Sequence, residues 1–433
     1  MQYFYSIIIP IFNSKKYLQS SIKSVLNQKN DKTEIILIND CSTDGSKKIC
    51  NFYKKKFKFI KVINNKKNLG VGYSRNIAIK AAQGKYIVFL DSDDNLLKDS
   101  LNDLEKFIKK RLNPDVIPIR YEKITFPQNN DEFIKDNLNQ KNTNGLIKYV
   151  MKKKIPFSDC WFFVVKKSFL IDHEIHFPNS RFGESEIFVA KIICYMKNFA
   201  IFKKKFYYKK DRLNSLTNSS DFNTTYSVLN NLIEFNIFYN KLKFSDLKKK
   251  FLSKYIQGIF GVFLALLLLR EKSEIKELSL LLKNNIKNLK KMIKHPENLN
   301  LEKLVKKFGA LKGLNKFKNS IIDLKINKFK ELNIKNKYFY AYCRSQYTAA
   351  TINIFKKNGY KIFGVVDDNI NFKNSKFLSY KTIDSKLLLK KFKMDLKKLF
   401  IVITHQKENT FKKISNHLVK NNISKKQIFY IKY

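Results

Sequence analysis

Residues 85–95 read KYIVFLDSDDN. A short apolar, β-prone run of this kind predicts a buried strand. It stops at three carboxylates, Asp91, Asp93 and Asp94. Like charges packed so closely repel, so a positive partner is expected beside them. Strand alternation puts Asp91 and Asp93 on one side. Two such carboxylates suit a hard divalent ion, which takes oxygen ligands and can share them with a diphosphate. The plainer alternative is that Asp93, Asp94 and Asn95 cap a helix starting near Leu96.

The flanking sequence supports the strand. YSIIIPIFN, TEIILIND and FIKVINN read as three further strands, and amphipathic or helix-prone stretches over 15–28, 46–58 and 73–83 separate them. This alternation predicts a mostly parallel sheet covered by helices. Ligands of such sheets bind at the carboxyl ends of the strands. Both NDCSTDG (39–45) and DSDDN (91–95) lie at such ends. Residues 120–217 are mixed, 220–330 are helical and lysine-rich, and β/α alternation restarts at 337. The expected division is 1–219, 220–334 and 335–433: an α/β domain, a helical region and a small Rossmann-like α/β domain.

The chain has 433 residues, 44% of them hydrophobic, enough for two or three cores. Its five cysteines form no CxxC pair, which argues against a disulfide framework or a zinc site and suits a reducing cytosol. The amino terminus lacks the features of a signal peptide and reads as a first strand. The longest apolar stretch, residues 255–269, falls short of the ~20 residues of a membrane span and reads as a buried helix. The formal charge is +50. Such a charge raises nucleic acid as a partner. The basic residues are almost all lysine, however, and read as a dispersed solvated coat. No nucleic-acid partner is expected, whereas anionic membrane surfaces would attract the coat. Arginine is scarce, and where it stands its fork can grip phosphate or carboxylate.

Two further segments lie near the strand ends. An acceptor at Asn39 or Asp40 could read the imide of a pyrimidine base or a ribose hydroxyl; Ser42-Thr43-Asp44 would equally serve as a turn and helix cap. In NLGVGYSRN (68–76), Gly70 and Gly72 permit close backbone approach, and Arg75 stands one turn into a helix. The spacing is neither GxGxxG nor a Walker loop, which disfavours dinucleotides and ATP.

The order IIIPIFN, INDCSTDGS, NLGVGYSRNIAIKAAQGKYIVFLDSDD resembles the family 2 glycosyltransferases of GT-A fold over residues 4–125. The resemblance implies inverting transfer of a sugar from a nucleotide-diphosphate donor, a UDP-sugar, by a hexosyl- or N-acetylhexosaminyltransferase. It implies Mn2+ or Mg2+ held by Asp93. It places Pro10, Asn13, Asp40, Arg75, Asn76 and Asp91 on the nucleotide-sugar. CWFFVVKKSFL (160–170) resembles the family's acceptor-side strand, with Trp161 either facing the acceptor or packed in the core. YYKKDRLNSLT (207–217) resembles its basic segment, with Arg212 toward the donor.

One departure stands out. Where the family carries an Glu-Asp pair whose Asp is the general base, this chain has FGESEIF, with Glu184 matching the Glu and Ser185 replacing the Asp. A serine cannot deprotonate a hydroxyl by itself, so the base is expected to be Glu186 or Glu184. His173 and His176 have no third ligand nearby in sequence. In the carboxyl-terminal domain the turn AYCRSQYT lacks the glycine that a diphosphate needs, and Asp367 and Asp368 would contact a ribose if a ligand bound. The expected role is synthesis of a bacterial surface polysaccharide or lipooligosaccharide on a glycan or lipid-linked acceptor. The expected place is the cytoplasm, with peripheral association at the cytoplasmic face of the inner membrane. The rivals are a degenerate protein that binds nucleotide-sugar or glycan without turnover, and a nucleic-acid-binding protein.

Overall fold

A computed structural model describes residues 3–123, 143–153, 159–210, 221–241, 245–285, 310–330, 338–342, 345–368, 376–392, 396–404 and 408–431. The chain divides into two compact units. One comprises Met1–Arg212 with Leu242–Tyr255, the other Leu213–Lys241 with Ile256–Tyr433. The second unit thus takes in most of the expected helical region together with the expected small α/β domain.

The first unit opens as the alternation predicts: β1 (Tyr5–Ile11), α1 (Lys15–Leu26), β2 (Thr33–Asn39), α2 (Ser46–Lys56), β3 (Ile60–Asn64), α3 (Val71–Ala81) and β4 (Tyr86–Phe89). Every residue of β1, β2 and β4 is buried, the mark of strands covered on both faces. These strands pair in parallel, with Ile7 opposite Ile35 on one side and Val88 on the other. Beyond β4 the sheet becomes mixed. Its full order is β3-β2-β1-β4-β7-β6-β8-β5, where β5 is Asn95–Leu96, β6 Val116–Lys123, β7 Phe163–Lys166 and β8 Phe202–Lys209. Strand β7 runs antiparallel to β4 and β6, while β6 and β8 are parallel.

Chain order reverses between β1 and β4, which makes the crevice at their carboxyl ends the switch point where such sheets bind ligands. Pro10 fits this place. The Ile8 carbonyl accepts from the Leu90 amide. Two positions on, Pro10 faces the same way, past the end of β4, where its missing N–H breaks no ladder.

At the opposite end of the strands the buried Glu34 carboxylate accepts from Ser6 Oγ at 2.6 Å and from the amides of Gln83 and Gly84. A Cβ on Gly84 would come within 2.5 Å of the Ser6 nitrogen, so only glycine fits there.

In the second unit, β9 (Tyr338–Tyr342), β10 (Ile362–Val366), β11 (Lys376–Phe377), β12 (Tyr380–Ile383), β13 (Leu399–Thr404) and β14 (Ile428–Ile431) form a sheet ordered β11-β12-β10-β9-β13-β14. All neighbours are parallel except β11, so the fold is the expected small doubly wound domain. Its core gathers Tyr340, Val366, Leu388, Ile401 and Leu418. The Asp368 carboxylate accepts from Tyr342 Oη and from the Ser385 amide, so it is spent on joining its own strand ends. Cys343 and Arg344, in the glycine-free turn, lie outside the described residues.

The apolar stretch of 255–269 belongs to a longer helix, Asp246–Leu268, which has the length and apolarity to cross a membrane; 67% of its apolar window is buried in the protein.

Candidate active site

Three strand ends are tied together at the switch point by short polar bonds. Ser14, after β1, meets Ser92, after β4, hydroxyl to hydroxyl at 2.7 Å. The Ser14 amide donates to Ser46 Oγ, and Asn13 Oδ1 accepts from the Thr43 amide at 2.8 Å, which brings in the loop after β2. Asn13 has φ 49°, a left-handed backbone that asparagine tolerates. Asp44 binds the amides of Lys15 and Ser46, the turn-and-cap role that sequence offered as the alternative for this loop.

The acid loop answers the question its sequence raises. Strand β4 ends at Phe89, so Asp91–Asp94 form a turn, closed by the Asp94 amide on the Asp91 carbonyl, rather than a continued strand. No helix begins near Leu96. Asn95 and Leu96 pair with β8, and the next helix, α4, spans Ser100–Lys110.

The three carboxylates have different neighbours. Asp91 is partly open and accepts from Arg75 Nη2 at 2.8 Å. Asp93 is half-buried. Asp94 is buried and accepts from Tyr207 Oη at 2.7 Å and from the Lys210 amide at 2.8 Å, which fastens β8 to the loop. Burial, then the charges of Asp91 and Asp93, push the Asp94 carboxyl up to about 7.

The expected positive partner is Arg75, buried in the first turns of α3. It donates to Glu184 at 2.6 Å and lies 3.3 Å from Ser185 Oγ, while its guanidinium stands 5.3 Å over the Phe177 ring. A second cation, Lys209, closes β8. Burial opposes its charge, but Asp159, Asp91 and Asp94 outweigh burial and raise its pKa.

Several residues expected on the nucleotide-sugar are spent on the protein itself. Asp40 accepts from Asn65 Nδ2 and from the amides of Leu69 and Gly70, which shapes the loop entering α3. Asn76 exchanges two hydrogen bonds of 2.9 Å with the backbone of Phe177. Both act as clasps within the protein in this arrangement. Gly70 and Gly72 do allow close approach, but by the protein's own residues 178–184. A Cβ on Gly72 would lie 2.4 Å from the Pro178 carbonyl and 3.1 Å from Glu184 Cγ. Trp161 is 3% exposed, stacked on Tyr207 and Phe162 at centroid distances of 4.6 and 4.3 Å. It is core rather than an acceptor platform, because an aromatic in contact with three other rings gains most by burial. Arg212, with Ser215 and Thr217, lies outside the described residues.

Of the site residues expected at the strand ends, Asn13 is exposed and Asp91 and Asp93 are half-buried. To these the structure adds two that sequence reading passed over. Phe12 leaves β1 45% exposed, an apolar ring standing between the two residues singled out, Pro10 and Asn13. Asp159 is half-buried beside Trp161. Burial raises its carboxyl; Lys209 opposes this, and Asp91 and Glu184 reinforce it. Its place next to the quoted CWFF stretch was the one available signal.

The segment Glu184-Ser185-Glu186 opens the helix Glu184–Tyr195 behind Gly183 (φ 72°). Glu184 is buried and paired with Arg75, and Ser185 Oγ donates to it at 3.0 Å. Glu186 is half-buried, with no hydrogen bond or ion pair among the described residues. Burial, then Asp159 and Glu184, push its carboxyl up to about 8. His173 and His176 bond to nearby carbonyls, and no group of three metal-binding side chains occurs among the described residues.

Comparison with known proteins bears on the fold and the family of the first part of the chain. The poly(ribitol-phosphate) beta-N-acetylglucosaminyltransferase TarS of Staphylococcus aureus (strain Mu50 / ATCC 700699) is 28% identical over 209 residues, 47% of this chain and 35% of TarS. The minor teichoic acid biosynthesis protein GgaB of Bacillus subtilis (strain 168) is 32% identical over 213 residues, 48% of this chain and 23% of GgaB. The chain therefore spans less than half the length of these curated relatives. A crystal structure of S. aureus TarS, 19% identical, superposes with a TM-score of 0.50 over 73% of this chain and 55% of that one, a likeness of fold. The model of glycosyl transferase family 2 matches residues 6–173, and this part of the chain is a family 2 glycosyltransferase domain.

Proposed function

We propose that the chain is an inverting glycosyltransferase that moves a hexosyl or N-acetylhexosaminyl group from a UDP-sugar to a hydroxyl of a glycan or lipid-linked acceptor in bacterial surface-glycan synthesis. The observation that carries this is the seating of Asp91–Asp94 at the β1/β4 switch point, with Glu184–Glu186 drawn to it through Arg75. The names of the two relatives, a poly(ribitol-phosphate) beta-N-acetylglucosaminyltransferase and a minor teichoic acid biosynthesis protein, support the surface-glycan reading.

In this reading the Phe12 ring stacks on the base and Asn13 borders it. Asp91 faces the ribose side, fixed by Arg75. The acid loop gathers three carboxylates, and its hard oxygen donors would fit Mn2+ or Mg2+ at Asp93. Once bound, the ion offsets charge on the departing diphosphate. Lys209 adds a fixed positive charge on the same side.

Glu186 takes the acceptor proton. As it does so, the acceptor oxygen bonds to the anomeric carbon, the bond from that carbon to the diphosphate oxygen breaks, and the nucleoside diphosphate leaves on the opposite face. A base with pKa about 8 is matched to work near neutrality. Glu184 is the weaker candidate, because it is buried and its carboxylate is already held by Arg75 and Ser185. The protein works in the cytoplasm, where its lysine coat favours peripheral contact with anionic lipid.

A second reading is a degenerate protein that holds a nucleotide-sugar or glycan without turnover. Ser185 at the family's base position favours it. Screening a panel of UDP-sugars for Mn2+-dependent hydrolysis and transfer decides between the two: turnover of any donor supports the transferase, and donor binding without turnover supports the degenerate protein.

A further inference from the structure

A groove of about 750 Å³ runs along the outer side of α1 beside β5. Four lysines line it, Lys16, Lys23, Lys29 and Lys98, all exposed. No carboxylate lines it, and none of the four is in an ion pair among the described residues. Lys16 and Lys23 stand two turns apart on one helix face, about 10 Å. Between them the floor carries neutral hydrogen-bonding side chains, Gln19 and Ser20 among them, suited to hydroxyls.

The groove abuts the acid loop directly. Asn95, on its wall, follows Asp93 by two positions, and its Oδ1 accepts from Lys210 Nζ and Ser20 Oγ at 3.2 Å each. The same Lys210 gives its amide to Asp94. One end of the groove is therefore fixed to the loop that holds the donor in the proposed function.

We infer that this groove is the track of an anionic, hydroxyl-rich acceptor polymer, with phosphodiester or carboxylate charges seated on the four lysines while its hydroxyls meet the amide side chains. The inference rests on the transferase reading. The lining mixes lysines with amide and hydroxyl side chains, as such a polymer mixes charges and hydroxyls. Nucleic acid is disfavoured because no aromatic side chain lines the groove to stack a base. A lipid surface is disfavoured because Leu96 is its one apolar side chain and the surface is concave.

The test uses the full chain and three labelled probes: inorganic polyphosphate, polygalacturonate and neutral dextran. The variant Lys16→Gln/Lys23→Gln/Lys29→Gln/Lys98→Gln is compared with a control that removes four exposed lysines of α2, Lys47→Gln/Lys54→Gln/Lys55→Gln/Lys56→Gln. Wild type and control should bind at least one anionic probe, and the groove variant should bind it about tenfold or more weakly. The slope of log affinity against log salt should fall by roughly one per lysine removed. Binding of polyphosphate alone identifies a phosphodiester polymer, and of polygalacturonate alone a uronate polymer. Equal loss in both variants, equal binding of dextran, or unchanged affinity in the groove variant overturns the inference. Donor hydrolysis is measured separately and should be the same in all three proteins. Its absence from wild type would count against the transferase reading and leave the binding result to decide the groove.

Discussion

Arg75 and Glu184 meet at 2.6 Å across 109 positions of sequence, both buried, and the same guanidinium holds Asp91 at 2.8 Å. One side chain thereby fixes the spacing between the acid loop and the helix that carries the proposed base. Removing one partner of a buried pair strands the other charge and costs about 3–5 kcal/mol. Arg75→Met should therefore lower stability by that order in urea denaturation. Glu184→Gln keeps a hydrogen-bond acceptor and should cost less. Equal stability of Arg75→Met and wild type would show that the pair does not hold the seam.

Asp93→Ala should abolish the Mn2+-dependent part of UDP binding and leave the protein folded, because Asp93 is only half-buried and Asp94 keeps its bonds to Tyr207 and Lys210. Calorimetric titration with UDP, with and without Mn2+, measures this. Unchanged UDP affinity in Mn2+ would remove Asp93 from the metal site.

Glu186→Gln should slow transfer by about 10²–10⁴-fold with donor affinity nearly unchanged, the usual contribution of a general base. The base must be ionised, so kcat/KM should rise with pH and level off above about 8, and the variant should lose this limb. The sign for stability is opposite. The folded protein holds a proton on Glu186 that the unfolded chain releases in the ordinary carboxylate range. Folding is therefore penalised increasingly as pH climbs from there to about 8, and Glu186→Gln should remove that penalty. Melting curves of both proteins between pH 5 and 9 would show the gap widen toward alkaline pH, at roughly the linkage slope of a single group. A gap that stays constant would mean an ordinary carboxyl.

Gly72→Ala should destabilise by about 1–3 kcal/mol, the range for forcing an added methyl into a packed seam, since the new carbon would fall 2.4 Å from the Pro178 carbonyl. Gly359→Ala makes the contrast, because its Cβ would meet nothing within 4 Å; the strain there comes from φ 77° alone. Denaturation midpoints of the two variants compare the causes.

The parts of the fold readable in the sequence were those with a one-dimensional signature. Strand β4 is an unbroken apolar run, β1 and β2 carry apolar stretches at Ile7–Ile9 and Ile35–Ile38, and α1 repeats its buried positions at Leu18, Ile22 and Val25 with helical spacing. The antiparallel strand β5 was less visible. A strand of two residues has too short a pattern, and its direction is set by partners distant in the chain. The candidate site divides in the same way. Its acids are conspicuous because clustered charge is unusual. What each side chain touches was hidden, because Asp40 reaches 25 to 30 positions ahead and Asn76 reaches 101. A polar residue at a motif position looks the same in sequence whether it binds a ligand or a backbone amide. Trp161 was ambiguous for a similar reason, since its cover comes from Tyr121 and Tyr207 on either side in sequence.

The Glu34 cluster at the far end of the sheet bears on how the molecule moves. With Ser6, Gln83 and Gly84 drawn onto one buried carboxylate, β1 and β4 are pinned at their amino ends and joined at the other by single hydroxyl and amide contacts. A sheet held this way behaves as a cantilever, stiff at its root and freest at its tip, and the tip is where the acid loop lies. In deuterium exchange the Gln83 and Gly84 amides should be among the last of the domain to exchange, while those of residues 91–95 exchange through small local openings.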